Sequence, residues 1–152
     1  MNLRKAIAED LQLVKNITHT TILAIYPGYY PAGAVTFCLK YHSDEHIAED
    51  IEAGRVYLLE DGGLTVATIT LKENEICRLF VLPEHEHKGY GKYLLNFAEE
   101  TLFKDYEEVR LDASYPAKAM YYRHGYYVWK YDVFPVDYGH NMCYDIMKKN
   151  RP

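Results

Sequence analysis

Cysteine is scarce in this chain, and its placement fits neither a disulfide framework nor a metal site. The 152 residues include three cysteines, Cys38, Cys77 and Cys143, which are odd in number and far apart. No Cys-x-x-Cys pair or mixed Cys/His spacing is present, so a zinc site is not expected. The closest approach to metal-ligand spacing, His85-x-His87, lacks a third ligand and is expected to be solvated. We therefore predict no metal and no disulfide.

An excess of basic charge and long apolar runs are also missing. The chain carries 17 Lys and Arg against 22 Asp and Glu, a formal net charge of −5. This balance argues against a general nucleic-acid surface and mildly favours a cationic substrate such as an amine. No apolar run reaches membrane length and no signal-peptide pattern is seen, which predicts a cytoplasmic protein with no membrane partner. The length predicts a single domain over residues 1–152.

Hydrophobic periodicity predicts an α/β (α+β) protein with a mixed central sheet and helices on both faces. A first strand over Asn2–Ile7 precedes helices that begin at Asp10, Pro31 and Ser43. The remaining elements are predicted as strands 56–60, 64–71 and 75–81, helix 89–103, strand 108–111, helix 117–124, and strands 126–129 and 141–147. The last two strands are expected to form a hairpin with a long loop through Pro135 and Gly139. Their aromatic content allows for a homodimer.

The stretch from Phe80 to Leu95 is predicted to be a strand, a proline-closed turn, a glycine-rich loop and a helix. Gly89 and Gly91 let backbone N–H groups approach a ligand, because neither residue has a Cβ atom. A helix that begins just after such a loop offers unpaired N–H donors and a positive dipole end, which suits a phosphate.

Three interpretations of this loop compete. A dinucleotide-binding loop would need a third glycine where Leu94 stands. A P-loop would need Ser or Thr after Gly91-Lys92, but Tyr93 follows. Two glycines by themselves would also fit an ordinary strand-to-helix turn.

The combined pattern resembles the GNAT superfamily of acetyl-CoA-dependent N-acetyltransferases. Val81-x-Pro83, the two glycines and Leu94-Leu95 match the family's first signature, although Glu86 stands where Gln or Arg is usual. A carboxylate there would repel a pyrophosphate unless it is turned away. The family's second signature is matched at the positions Ala117, Tyr121, Gly125 and Tyr126, with Ser114 in place of the usual Asn.

The resemblance implies a GNAT fold of about 6–7 strands that splays between its fourth and fifth strands, and it implies acetyl-CoA as the cofactor. It also implies site residues by position. Tyr121 and Glu75 are the catalytic candidates, and the tyrosines of the first interhelical turn are the substrate-binding candidates: Tyr26, Tyr29 and Tyr30. The cofactor-binding candidates are Phe80, Val81, Glu86, His87, Lys88, Gly89, Tyr90, Gly91, Lys92, Ser114 and Tyr121.

Acetyl transfer from a thioester needs a neutral amine, an oxyanion donor and a proton for the leaving thiolate. Neutralising a lysine-like amine at pH 7 costs roughly 4.6 kcal/mol, which calls for a base or a desolvated pocket. A tyrosine is protonated at pH 7 and can pass a proton to a thiolate at a cost of about 2 kcal/mol. The sequence thus predicts an N-acetyltransferase acting on a primary amine of a small molecule or peptide, with Tyr121 as the proton donor. The alternative is a non-catalytic CoA-binding regulatory or sensor domain, which the departures at Glu86 and Ser114 motivate.

Overall fold

The computed structural model describes all residues from Met1 to Pro152 and contains one sheet with helices on both sides. The strands are β1 (Asn2–Lys5), β2 (Val56–Asp61), β3 (Leu64–Lys72), β4 (Glu75–Val81), β5 (Glu108–Ala113), β6 (Tyr127–Pro135) and β7 (Asn141–Asn150). The helices are α1 (Leu11–Ile25), α2 (Ala32–Tyr41), α3 (Asp44–Glu52), α4 (Tyr90–Leu102) and α5 (Lys118–Arg123). The seven strands run in the order β1-β2-β3-β4-β5-β7-β6. Only β4 and β5 pair in parallel, so the predicted mixed sheet is confirmed.

Two hydrophobic clusters cover the two faces of this sheet. Helix α1 buries Val14, Ile17 and Ile22 in a cluster shared with α2, α3 and the side chain of Phe80. Helix α4 contributes to the cluster on the other face, with its buried residues at helical spacing: Leu94, Leu95, Ala98 and Leu102. Each helix therefore presents one apolar stripe to the sheet, as its periodicity predicts. None of the helices is both long enough and apolar enough to cross a membrane.

The C-terminal hairpin differs from its prediction. Strand β6 continues to Pro135, and only residues 136–140 separate it from β7, so the expected long loop is wrong. Proline is tolerated at that position because β6 is the edge strand and Pro135 ends it. Trp129 and Tyr131 stand exposed along this edge.

Candidate functional site

A gap opens in the sheet between β4 and β5. Their registered pairs are confined to Glu75 with Arg110 and Ile76 with Leu111, and beyond these pairs the strands part. The amide of Leu82 donates to the carbonyl of Val66 in β3 at 2.9 Å. Because N–H groups alternate in direction along a strand, the amides of Leu79 and Val81 then point into the gap and that of Phe80 points toward β3. Of the cofactor-binding candidates Phe80 and Val81, Val81 is therefore the one whose amide points into the gap, as a donor to an oxyanion there would need to.

The glycine loop presents a run of unpaired amides beside this gap. No backbone N–H group from His87 to Lys92 donates to a protein acceptor. Gly89 is the N-cap of α4 in the left-handed region, with φ of 88°, a conformation that a residue with a side chain rarely adopts. Free amides at the positive end of a helix form an anion site, so the prediction of a phosphate-binding loop has the geometry it requires.

Two contacts fix the start of α4 against its surroundings. The hydroxyl of Tyr90 donates to a carboxylate oxygen of Asp61 at 2.6 Å. A Cβ atom added to Gly91 would lie 3.0 Å from Sδ of Met120, so this glycine lets α4 approach α5 closely. Gly91 is therefore a packing requirement as well as part of the loop.

Tyr121 lies on the short helix α5 and belongs to the hydrophobic cluster that α4 covers. Its residue surface is 6% exposed, its hydroxyl has no hydrogen-bond partner in the protein, and it lines the cavity that fills the gap. Burial raises the pKa of its phenol, so Tyr121 is protonated at neutral pH. Burial also raises the pKa of Tyr26, and the Ser114 hydroxyl beside it offsets part of that rise.

The cavity has a volume of about 1120 Å³ and brings most of the candidate site residues together. Lys88 and Tyr30 do not reach its wall. The candidates that line it are Tyr26, Tyr29, Glu75, Phe80, Val81, Glu86, His87, Gly89, Tyr90, Gly91, Lys92, Ser114 and Tyr121.

The three candidate substrate tyrosines have different surroundings. The ring of Tyr26 packs 5.3 Å from that of Tyr30 and 6.4 Å from that of Phe80. Tyr30 is buried behind the wall, where its hydroxyl accepts a hydrogen bond from the amide of Tyr115 at 2.6 Å and burial raises its pKa to about 12. Tyr29 is exposed, and its ring centre lies 6.0 Å from that of Tyr115. Tyr26 and Tyr29 can thus contact a substrate directly, whereas Tyr30 holds the turn after β5.

Glu75 lies at the closed end of the gap. One carboxylate oxygen forms an ion pair with Arg110, the residue paired with it in β5. The other oxygen is 3.9 Å from Sγ of Cys77. The carboxylate therefore reaches the cavity wall while one of its oxygens is already engaged by a cation.

A buried polar network that the sequence did not reveal lies on the α1–α3 side. Arg78, which is 3% exposed, donates through Nε to Nδ1 of His42 at 3.2 Å and through Nη1 to Thr70 at 2.8 Å. Its charge is balanced by Asp50 at 3.3 Å. Burial and the Arg78 charge lower the pKa of His42 to about 3. His42 is consequently neutral, and because Nδ1 accepts from arginine, the ring proton sits on Nε2.

Two further charged residues of the cavity wall were missed. Asp112 lines it from β5 and Arg123 from α5, and neither forms an ion pair. Alternation along β5 predicts that Asp112 faces away from the buried Leu111, but no local pattern distinguishes it from a solvated strand residue.

Comparison with known proteins agrees with this geometry. Residues 25–134 match the model of the acetyltransferase (GNAT) domain family. A GCN5-related N-acetyltransferase from Rhodopseudomonas palustris superposes with a TM-score of 0.87 at 20% identity, over 99% of this chain and 95% of that one. The PaiA N-acetyltransferase of Thermoplasma acidophilum, solved with coenzyme A, gives 0.76 at 23% identity over 99% and 98% of the two chains.

Arabidopsis thaliana Naa50, solved with the bisubstrate analogue CoA-Ac-MVNAL, gives a TM-score of 0.69 at 19% identity over 99% and 98% of the two chains. No curated protein sequence matches the chain. At these low identities the superpositions support the fold alone. The family model spans residues 25–134, which include the gap, the glycine loop and Tyr121. On this combined evidence, the chain belongs to the GNAT family of acetyltransferases.

Proposed function

We propose that this protein transfers the acetyl group of acetyl-CoA to a primary amine of a small molecule or peptide by direct attack. The observation that carries the proposal is a single cavity that holds two different features. At one end lies the run of unbonded amides from His87 to Lys92, and within the gap lies the unpartnered hydroxyl of Tyr121. A phosphate site and a protonated phenol on one cavity fit a phosphorylated thioester.

The residues around the glycine loop fit coenzyme A. The free amides can donate hydrogen bonds to the diphosphate, and Lys92 and Arg123 add unpaired cations to the same cavity. A carboxylate would repel the diphosphate, so we expect the Glu86 side chain to turn away from it when CoA is bound. Bound acetyl-CoA supplies the thioester carbonyl and the thiolate leaving group.

Tyr121 holds the proton that the leaving thiolate needs. Burial makes its phenol a weaker acid than an exposed tyrosine, because the phenolate would be poorly solvated. The same burial would also disfavour a free thiolate, so it acts on proton donor and acceptor in the same direction. Donation from the hydroxyl therefore stays accessible as negative charge develops on sulfur.

Two further roles follow from the gap. The Val81 amide points into it and is the candidate donor to the carbonyl oxygen as that oxygen gains charge. Glu75 is the candidate base for the amine, acting through water from the closed end of the gap. Its ion pair with Arg110 orients the carboxylate.

The test is CoA binding by titration calorimetry combined with thiol release over a panel of amines. Gly89→Trp should abolish CoA binding because an indole would occupy the space in front of the amides. Gly62→Trp is the matched control, since Gly62 also has positive φ and open space around it but lies in the turn between β2 and β3. Equal CoA affinity in both variants would refute the assigned cofactor site. CoA binding without thiol release on any amine would favour the sensor alternative.

A further inference from the structure

The cavity extends past the gap to a second recess on the α1–α3 side of the sheet. We call it the apex recess and define it by Tyr41, Glu75, Cys77, Asp112 and Tyr144, all of which line the cavity. The charges of Glu75 and Asp112 both raise the pKa of the Tyr41 phenol, and the charge of Asp112 also raises that of Tyr144. These four side chains therefore lie close enough to interact electrostatically.

Asp112 lies where the two strands separate. Continuing the register of Ile76 with Leu111 by one residue places Asp112 opposite Cys77, at the first position without pairing. Leu111 and Ala113 belong to the cluster under α4, so Asp112 projects from the opposite face, where an acceptor can approach. Its carboxylate has no ion pair and no hydrogen bond in the protein. The Asp112 side chain is exposed, and desolvation by the surrounding protein together with the charge of Glu75 raises its pKa against the opposing charge of Arg110.

Aromatic rings line the recess in a continuous row. Phe37 is 6.0 Å from Tyr41 and 4.9 Å from Phe134, and Phe134 is 6.2 Å from Tyr144, measured between ring centres. Aromatic faces attract organic cations and also cover their alkyl chains. A row of rings opposite a free carboxylate is suited to an alkylammonium group.

The arginines near this recess are already paired with carboxylates, and the recess carboxylate without an ion-pair partner is that of Asp112. The charge of Arg78 is balanced by Asp50, and Arg110 is engaged by Glu75. His42 faces the same cavity but is neutral, and its Nε2 lacks a partner although the residue is 8% exposed.

Tyr121 likewise has an unpartnered hydroxyl at 6% exposure. Tyr121 and His42 both line the cavity, so this hydroxyl and this ring nitrogen are free to bond a ligand there in addition to the carboxylates.

We propose that the apex recess binds a second ammonium group of the acceptor, so that the substrate is a linear aliphatic diamine or polyamine. One primary amine would lie in the gap for acetylation while Asp112 and the aromatic row hold another nitrogen. This inference rests on the proposed function for the fate of the first amine. The binding of the second nitrogen depends on Asp112 and the rings and is testable by itself.

The experiment compares 1,4-diaminobutane with 4-aminobutan-1-ol, which has the same length but a single nitrogen. Thiol release with acetyl-CoA gives kcat/KM for each amine, and calorimetry on the CoA-saturated protein gives the affinity for each. The diamine should be favoured about 10- to 100-fold, the range expected when a hydrogen bond involves charged groups. Asp112→Asn should remove this preference while leaving kcat/KM for the amino alcohol within about threefold.

Asp105→Asn is the matched control, because Asp105 is exposed in the turn after α4 and away from the cavity. Asp112→Glu should restore part of the preference because it restores the charge. Equal binding of the two amines to the wild-type protein would overturn the proposal, as would an Asp112→Asn variant that weakens both equally. Asp112-dependent diamine binding without thiol release would support the recess and refute the proposed function instead.

Discussion

Replacing Tyr121 with phenylalanine should separate catalysis from stability. The substitution removes one hydroxyl that bonds to no protein atom, so no buried donor or acceptor is left unpaired. The ring remains in its packing, 5.9 Å from the ring of Tyr126. We therefore expect the free energy of unfolding to change by less than about 1 kcal/mol, equivalent to roughly 2–4 °C in Tm for a chain of this size.

Turnover should respond very differently. If Tyr121 donates the proton to the thiolate, its loss removes a general acid whose contribution is typically about 10²- to 10⁴-fold in rate. A loss of about 10²-fold corresponds to roughly 2.7 kcal/mol of transition-state stabilisation. The affinity for CoA should stay within about threefold, because the hydroxyl lies in the gap and away from the amides of the glycine loop.

The assay is thiol release at saturating acetyl-CoA, alongside CoA calorimetry and urea unfolding. Tyr122→Phe is the matched control, since Tyr122 is the next residue of the same helix and is 50% exposed. A Tyr121→Phe variant with turnover within threefold of wild type would remove Tyr121 from the mechanism. Equal losses of turnover in both variants would point to a general disturbance of α5.

Three further outcomes are expected. Glu75→Gln should slow acetylation at pH 7 and slow it less at pH 9, because a free amine needs less help from a base as pH rises; a defect independent of pH would exclude the base role. The pKa of His42 is about 3 in the folded protein, because of burial, against about 6.5 in the unfolded chain. The unfolded chain therefore binds the proton first, and folding stability should fall as pH drops below 6.5, by about 2 kcal/mol at pH 5. Urea unfolding of His42→Gln should show a smaller loss over that range, and an unchanged loss would contradict the assigned neutral state. Asp50→Asn leaves the buried Arg78 without its counter-ion and should lower the free energy of unfolding, measured with urea, by about 3–5 kcal/mol. Arg78→Met should lower it less, because it leaves no buried cation.

Local sequence patterns were sufficient where the physical constraint is itself local. The start of α4 after the glycine loop and the apolar stripe of this helix each depend on residues close in sequence, and α4 begins within one residue of its predicted start. Ser43 also caps α3 as expected, with its hydroxyl accepting from the amide of His46 at 3.2 Å. The long loop through Pro135 was wrong because proline is compatible with an edge strand, and edge position is a property of the whole sheet.

The sequence by itself determined the order of elements and the glycine loop, because glycine, proline and hydrophobic spacing act over a few residues, and its resemblance to a known family pointed to the Tyr121 phenol. Tertiary structure alone decided what surrounds them. His42 and Arg78 meet across 36 positions of the chain, and Asp112 joins the cavity only because β4 and β5 part after two registered pairs. Charge interactions, protonation and access to the cavity depend on the distance between such groups and on the water excluded between them. Neither quantity can be deduced from the spacing of residues along the chain.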